Sequence, residues 1–209
     1  MRKMITGDGS FTLFNRDYNE TYHSTSGAIE ESVRKYVEPC RIEDGMRILD
    51  ICFGLGYNCL AAIHRSRNLD IVSLEKDENV LKEIQTIRVP PAFKDDYEVI
   101  KETAERLSFE EGNLKIRIII GDASKTIIQL KESEKFDAVF LDPFSPPKNP
   151  ELWTPEFFQG IARLLKKGAV LSTFTCARKV RENLKKTGFY VKDGPCVGRR
   201  SPSTIAVYK

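Results

Sequence analysis

Asp50-Ile51-Cys52-Phe53-Gly54-Leu55-Gly56-Tyr57-Asn58 lies between the apolar run Met46 to Leu49 and the helical run Cys59 to Arg65. Strand, glycine turn and helix in that order make a nucleotide-binding edge. Gly54 and Gly56 let the backbone turn tightly and approach a ligand without a Cβ in the way. Nineteen residues after Gly56 stands Glu75, at the end of the next apolar run. An acid at that spacing can accept the hydrogens of both ribose hydroxyls. The third glycine of the dinucleotide fingerprint is replaced by Cys59. That replacement disfavours a pyrophosphate ligand and favours a nucleoside ligand without phosphates, such as S-adenosylmethionine.

Elements continue to alternate on both sides of this turn. Ahead of it, Ser24 or Ser26 is placed to cap a helix over Ala28 to Val37, with Pro39 just beyond. Met46 to Cys52 is the first predicted strand, Cys59 to Arg67 its helix, and Leu69 to Glu75 the second strand. Asn79 to Ile87 has helical periodicity and is broken by Pro90-Pro91. Asp95 to Phe109 is predicted as a polar helix. Leu114 to Ile120, Phe136 to Leu141 and Ala169 to Phe174 are predicted strands, separated by helices at Ser124 to Leu130 and Thr154 to Leu165. The second of these has Thr154 as N-cap, Pro155 at its first position and Gly168 beyond its end. Ala177 to Lys186 is a helix. Gly188 to Lys192 and Thr204 to Tyr208 are two last strands, too close in sequence for a crossover and so an antiparallel hairpin.

Alternation of this kind predicts an α/β fold whose mostly parallel sheet is covered by helices on both faces. Seven strands ending in an antiparallel hairpin are the Rossmann-like sheet of class I methyltransferases. The length of 209 residues fits a single domain, with residues 1–40 as an N-terminal extension and helix contributing to the site. Residues 1–25 are the least regular part.

Ligands of open α/β sheets bind beyond the carboxyl ends of the strands. Those ends carry Glu75, Gly121-Asp122 and Asp142-Pro143-Phe144. Three acids sharing one crevice would be costly without a polar or cationic ligand to satisfy them. A sulfonium bearing an amino group, ribose hydroxyls and an adenine suits them. Glu75 is placed for the ribose, Asp122 and the N–H of Ala123 for the adenine, and Asp142 for the place where a methyl group would move. As an alternative, Asp122 is a helix N-cap, and both roles are compatible. Phe144 and Trp153, in the proline-rich stretch after Asp142, are candidates to stack on a base.

Composition narrows the classes further. Hydrophobic residues are 41% and charged residues 30%, as in ordinary globular proteins. No apolar run approaches the length of a membrane-crossing helix, and Met1 to Gly7 lacks the apolar centre of a signal peptide. Five cysteines without a Cys-x-x-Cys pair, and two histidines, offer no zinc site. Free thiols and a cytoplasmic location without metal are expected. The net charge of +3 conceals an asymmetry: residues 161–209 hold twelve Lys and Arg against Glu182 and Asp193. A cationic end of this kind suits tRNA or another polyanion.

Leu141-Asp142-Pro143-Phe144-Ser145-Pro146-Pro147-Lys148-Asn149-Pro150-Glu151-Leu152-Trp153 resembles the Asp-x-Phe-x-Pro-x-x-Asn-Pro-x-x-Trp signature of the methyltransferase domain of the MnmC family. Phe53 to Asn58 resembles that family's Gly-Phe-Gly-x-Gly-x-Asn loop, with Cys52 in place of the first glycine. Ser172 to Thr175, Gly198-Arg199-Arg200 and the entry segment Asp17-Tyr18 to Tyr22-His23-Ser24 with Gly27 and Glu30 match further stretches. Pro143 departs from the family's glycine and is similar to the Asp-Pro-Pro-Tyr loop of amino-methyltransferases.

The resemblance implies a domain that methylates the 5-aminomethyl group of a modified wobble uridine in tRNA. It implies that Tyr22, Gly54, Gly56, Asn58, Glu75, Asp122 and Asp142 line the cofactor or reaction site. Asp142 would be the catalytic residue, and Lys179, Arg181, Lys185, Arg199 and Arg200 would contact tRNA phosphates. The flavin oxidase found in two-domain members has no counterpart in these residues, so a separate enzyme supplying the amine is implied. Two alternatives remain open at this stage. One is an aminopropyltransferase of the spermidine synthase type; the other is a non-catalytic module that binds cofactor or tRNA.

Overall fold

A computed structural model describes all 209 residues. The chain opens with β1 (Arg2–Ile5), β2 (Phe11–Asn15) and β3 (Glu20–Thr21), a small antiparallel sheet of its own. The segment expected to be the least regular is therefore ordered by strand pairing, Arg2 opposite Phe14 and Asn15 opposite Glu20. Two- to five-residue strands give too little periodicity to read.

One continuous helical run follows. It comprises α1 (Ala28–Ser32), a π-helical turn over Val33–Val37, and α2 (Glu38–Cys40), closed by Arg41 in the left-handed region. A π turn inserts an extra residue into the helical register and is frequent at functional sites. Here it leaves Lys35, Tyr36 and Val37 all buried.

The main body then alternates in chain order. It runs β4 (Met46–Ile51), α3 (Tyr57–Arg65), β5 (Leu69–Glu75), α4 (Glu78–Ile84), α5 (Lys94–Arg106), β6 (Ser108–Glu111) and β7 (Leu114–Ile120). After these come α6 (Ala123–Gln129), β8 (Phe136–Leu141), α7 (Pro155–Ala162), β9 (Leu165–Thr173), α8 (Arg178–Lys186), β10 (Phe189–Asp193) and β11 (Thr204–Tyr208). Eight strands form the sheet, in the order β10-β11-β9-β8-β4-β5-β7-β6. β4, β5, β7, β8 and β9 are parallel, and β11 enters antiparallel between β9 and β10 as the terminal hairpin expected from the sequence.

The eighth strand corrects the expected count of seven. The predicted helix over Asp95 to Phe109 stops at Arg106, where Leu107 adopts φ 59°. Ser108 to Glu111 then pairs antiparallel with β7 across Gly112-Asn113, with Gly112 at φ 58°. This edge strand carries charged residues on both faces, so no alternation betrays it. The two-residue Gly-containing turn is the signal that locates it.

Consecutive strand residues face opposite layers, and both layers are apolar. Ile48, Ile71 and Phe140 pack with Tyr57, Leu60, Tyr97 and Ile100 on one face. Leu49, Val72 and Val139 pack with Phe158, Ile161 and Leu184 on the other. Their continuous burial explains why these strands read clearly from sequence.

The turn after β4 is held in an uncommon backbone. Cys52, Gly54 and Gly56 have φ of 71°, 56° and 76°. The N–H groups of Cys52 and Phe53 both donate to the Leu74 carbonyl, each at 3.0 Å, which ties the turn to β5. A Cβ on Gly56 would lie 2.5 Å from Ile100 Cγ2 and 2.9 Å from Phe53 Cζ. We expect Gly56→Ala to destabilise the fold by about 2–4 kcal/mol, through left-handed strain plus overpacking. Thermal unfolding should read a fall of roughly 5–15 °C.

Candidate active site

The carboxyl ends of β4, β5, β7 and β8 open on one cleft of about 300 Å³. Glu75, Asp122 and Asp142 all line it, so the three strand-end acids do share a crevice. The N-terminal segment forms the opposite wall through Tyr18, Tyr22, His23, Glu31 and Lys35. Ser145, by its backbone N–H and its Oγ, donates to Glu20, which fastens that wall to the loop after β8.

Glu75 is 8% exposed and accepts three backbone hydrogen bonds. Gly54 N–H donates to Oε2 at 2.8 Å; Lys76 and Asp77 N–H donate to Oε1 at 2.8 and 2.9 Å. The carboxylate thus shapes the glycine turn and leaves acceptor capacity on Oε2 for a ligand hydroxyl. Burial nevertheless raises its pKa above the usual carboxylate range.

Asp122 caps α6, with Oδ1 accepting from Ser124 N–H at 2.9 Å and Ser124 Oγ at 2.7 Å. Those bonds hold its pKa low. Asp122 and the adjoining Ala123 also line the cleft, so cap and ligand contact are compatible.

Asp142 sits on the cleft floor between two donors. Tyr36 Oη donates to Oδ1 at 2.5 Å, and Asn58 Nδ2 donates to Oδ2 at 2.9 Å. Burial, and then the negative charge of Glu31, push its pKa up to about 7, against the lowering effect of Tyr36, Asn58 and Lys35. Asp50, one layer beneath, is fully buried and also pushed up to about 7 by burial. Its Oδ2 accepts from Ser73 Oγ at 3.0 Å, while Oδ1 has no partner. Asn58 lies behind Asp142 and Gly56 beneath the turn, so both shape the cleft from behind without lining it.

Other expected residues fall differently. Phe144 lines the cleft, stacked on Tyr18 at 4.2 Å with an interplanar angle of 16°, and edge-on to Tyr22 at 5.1 Å. Trp153 does not reach the cleft. It is 4% exposed, lies in the second core and meets Phe174 edge-on at 6.1 Å, so it cannot stack on a ligand base.

Arg181 is committed internally. It donates to Thr204 Oγ1 at 2.8 Å and to the Ser203 carbonyl at 3.0 Å, and it pairs with Asp193 at 2.6 Å. This corrects its assignment as a free phosphate contact. Lys179, Lys185 and Arg200 are exposed. Arg199 lines the cleft rim with its guanidinium over the Phe174 ring at 5.8 Å.

Three contributors were missed from sequence: Tyr36, Glu31 and Lys35. Glu31 and Lys35 are spaced as a helical i, i+4 pair, which is a readable signal. Tyr36 gave none, because the π turn that aims it departs from regular helical spacing. The five cysteines are free, and no group of three or more His, Cys, Asp or Glu side chains is arranged to hold a metal ion. No helix is long and apolar enough to cross a membrane.

The donor set fits an adenosyl sulfonium. Seven acids line the cleft, and Glu75, Asp122 and Asp142 among them close the strands β5, β7 and β8. At Gly54 a Cβ would lie 3.3 Å from the Tyr22 ring, so at that position the turn presents bare backbone to the cleft.

Comparison with known proteins agrees. The family model for S-adenosyl-L-methionine-dependent methyltransferases matches residues 88–209. The structure of MNMC2 from Aquifex aeolicus is 36% identical, superposes with a TM-score of 0.87, and is matched over 100% of this chain and 70% of its own. An uncharacterised protein of Methanocaldococcus jannaschii is 33% identical over 210 residues, covering 96% of this chain and 58% of that protein. The tRNA 5-methylaminomethyl-2-thiouridine biosynthesis bifunctional protein MnmC of Ralstonia nicotianae is 33% identical over 218 residues, covering 94% of this chain and 33% of that protein. The chain thus spans little more than half of one of these two relatives and a third of the other. Spermidine synthase from Thermotoga maritima, 15% identical with a TM-score of 0.64, shares the fold. With its sheet order, glycine turn and acid-lined cleft, the chain belongs to the S-adenosyl-L-methionine-dependent methyltransferase family.

Proposed function

We propose that this protein methylates a primary amine of a modified uridine in tRNA, the 5-aminomethyl group at the wobble position. The observation that carries this reading is Asp142, a carboxyl held on the cleft floor by Tyr36 and Asn58 at the carboxyl end of β8. When bound, S-adenosyl-L-methionine supplies a methyl group already activated by the sulfonium charge. Glu75 would hold the ribose through Oε2, Asp122 and Ala123 the adenine edge, and Tyr22 and the Gly54 turn the walls around them.

The substrate amine reaches the cleft as an ammonium ion and must lose a proton to expose its lone pair. Asp142 takes that proton at one carboxylate oxygen and orients the neutral amine by hydrogen bonding. Tyr36 and Asn58 keep both oxygens fixed while this happens. Phe144 and Tyr18 offer an aromatic wall to the base. Lys179, Lys185, Arg199 and Arg200 are exposed residues of the basic stretch 161–209 and would meet tRNA phosphates. The aminomethyl precursor must be formed by a reaction that precedes this one, and a cytoplasmic setting accords with five free thiols.

The test is incubation with labelled S-adenosyl-L-methionine and bulk tRNA from cells blocked at the amine stage, followed by digestion to nucleosides. Label in a 5-methylaminomethyl uridine is expected. Label only in another nucleoside would overturn the reading. So would transfer of an aminopropyl group from decarboxylated cofactor to putrescine.

A further inference from the structure

Glu31 and Lys35 form a buried ion pair that Asp142's hydrogen bonds do not need. Glu31 is 8% exposed and Lys35 2%. Lys35 Nζ donates to Glu31 Oε1, and Ser24 N–H donates to Glu31 Oε2 at 2.8 Å. Lys35 makes no other ion pair, and its own carbonyl accepts from Ser172 Oγ on β9. Both side chains line the same cleft as Asp142.

Taking two charges out of water is expensive, and an apolar pair of the same size often stabilises a fold as well or better. Such a pair on the wall of a reaction cleft calls for a role other than folding. Its geometry supplies one. The π turn places Lys35 next to Tyr36, whose hydroxyl holds Asp142, so the pair and the carboxyl belong to one rigid unit.

We propose that the buried Glu31–Lys35 pair acts as a charge couple on Asp142, one like and one opposite charge held together on the wall of the same cleft. They are positioning residues, acting on the reaction through Asp142. The remaining groups around Asp142 do not supply this balance. Tyr36 and Asn58 are neutral donors, Cys52 has its thiol pKa pushed up by burial, and Asp50 and Glu75 are further acids beneath and beside it. Arg199 lies out at the cleft rim and is turned onto the Phe174 and Pro202 carbonyls. Lys76 also lines the cleft but lies over the Tyr18 ring at 6.0 Å, toward Asp122 and Glu151, and burial lowers the pKa of His23 to about 4, so its ring is neutral. Lys35 is the buried cation on the helical wall that Tyr36 joins to Asp142. The inference rests on the proposed role of Asp142 for its catalytic meaning, but the couple itself is measurable without turnover.

The experiment is a carbon-13 NMR titration of the Asp142 carboxyl in the ligand-free protein, its signal identified by loss in Asp142→Asn. Glu31→Gln removes the opposing negative charge and leaves Lys35 unbalanced. The titration should move to lower pH by on the order of one unit. Adding Lys35→Met to Glu31→Gln should move it back up by a similar amount. Failure of either displacement, or movement in the same direction at both steps, overturns the proposal. Should Glu31→Gln alone fail to fold, Lys35→Met alone carries the test. Its Asp142 signal must titrate at higher pH than in the double variant, and equal titration overturns the couple. Far-UV circular dichroism and thermal unfolding close to the parent's across the series show that the fold is intact. If these shifts appear but no tRNA is methylated, the couple stands and the substrate reading falls.

Discussion

Asp142→Asn should bind S-adenosyl-L-methionine nearly as the parent does and lose about a hundredfold to ten-thousandfold in turnover, the usual worth of a general base. The fold should accept the change. Asn58 Oδ1 is buried without a partner, so the Asn58 amide can flip and accept from the amide introduced at position 142, where it formerly donated to a carboxylate. Tyr36 continues to donate to the retained oxygen. The pH dependence separates this from a merely structural effect. With Asp142 titrating at about 7, kcat/KM of the parent should rise with pH through about 7 as the carboxylate forms. The variant should lack that limb.

Stability should run the other way. The folded pKa of Asp142 is raised, so protonation favours the fold; its stabilising contribution is present below the unfolded value and is lost as pH rises through about 7. At pH 8 Asp142→Asn should therefore melt above the parent, and the gap should narrow as pH falls from about 7 toward the unfolded value. Parent-like turnover in single-turnover kinetics, at matched cofactor saturation, would remove Asp142 from the mechanism.

The parts of this molecule that were legible in sequence are those fixed by repeated burial. β4, β5 and β8 are covered on both faces, so their residues form unbroken apolar runs, and the helices between them show their own period. The acids at strand ends were legible because a charge placed immediately after such a run has few reasons to be there. Glu75 illustrates this: its carboxylate is buried by the turn that it organises.

What stayed hidden depends on backbone events that side-chain patterns do not encode. Cys52 takes a φ of 71°, a conformation that glycine would have announced; a cysteine does not, and only its place at the first glycine of the resembled loop points to it. The π turn at Val33–Val37 shifts the inward face by one residue and brings Tyr36 to Asp142 across 106 positions. Trp153 and Arg181 misled for a different reason. An aromatic ring and a guanidinium serve a core or a loop as readily as a ligand, and only the Phe174 ring and the Thr204 and Asp193 partners decide between these uses.

Glu75→Gln is expected to give the second large effect, on cofactor affinity. A carboxylate can accept at both oxygens, and here it does so three times; an amide accepts at only one. The single oxygen of the introduced amide would keep the pair of N–H groups from Lys76 and Asp77, since that retains two bonds. The NH₂ group would then face Gly54 N–H, donor against donor, where 2.8 Å now separates donor from acceptor. The glycine turn must withdraw, and the acceptor left on Oε2 for a ribose hydroxyl is lost with it. A hydrogen bond to a charged group contributes about 1.5–3 kcal/mol, so affinity should fall by roughly tenfold to a hundredfold or more. Folding should suffer less than binding. Burial opposes the charge of Glu75, and a neutral amide is spared that cost while keeping two of the three backbone bonds. Calorimetric titration with S-adenosyl-L-methionine and thermal unfolding at pH 7 give the two quantities separately. An unchanged Kd would remove Glu75 from the cofactor site and leave it as the brace of the turn; a collapse in Tm that outruns the loss of affinity would reverse the order of effects argued here.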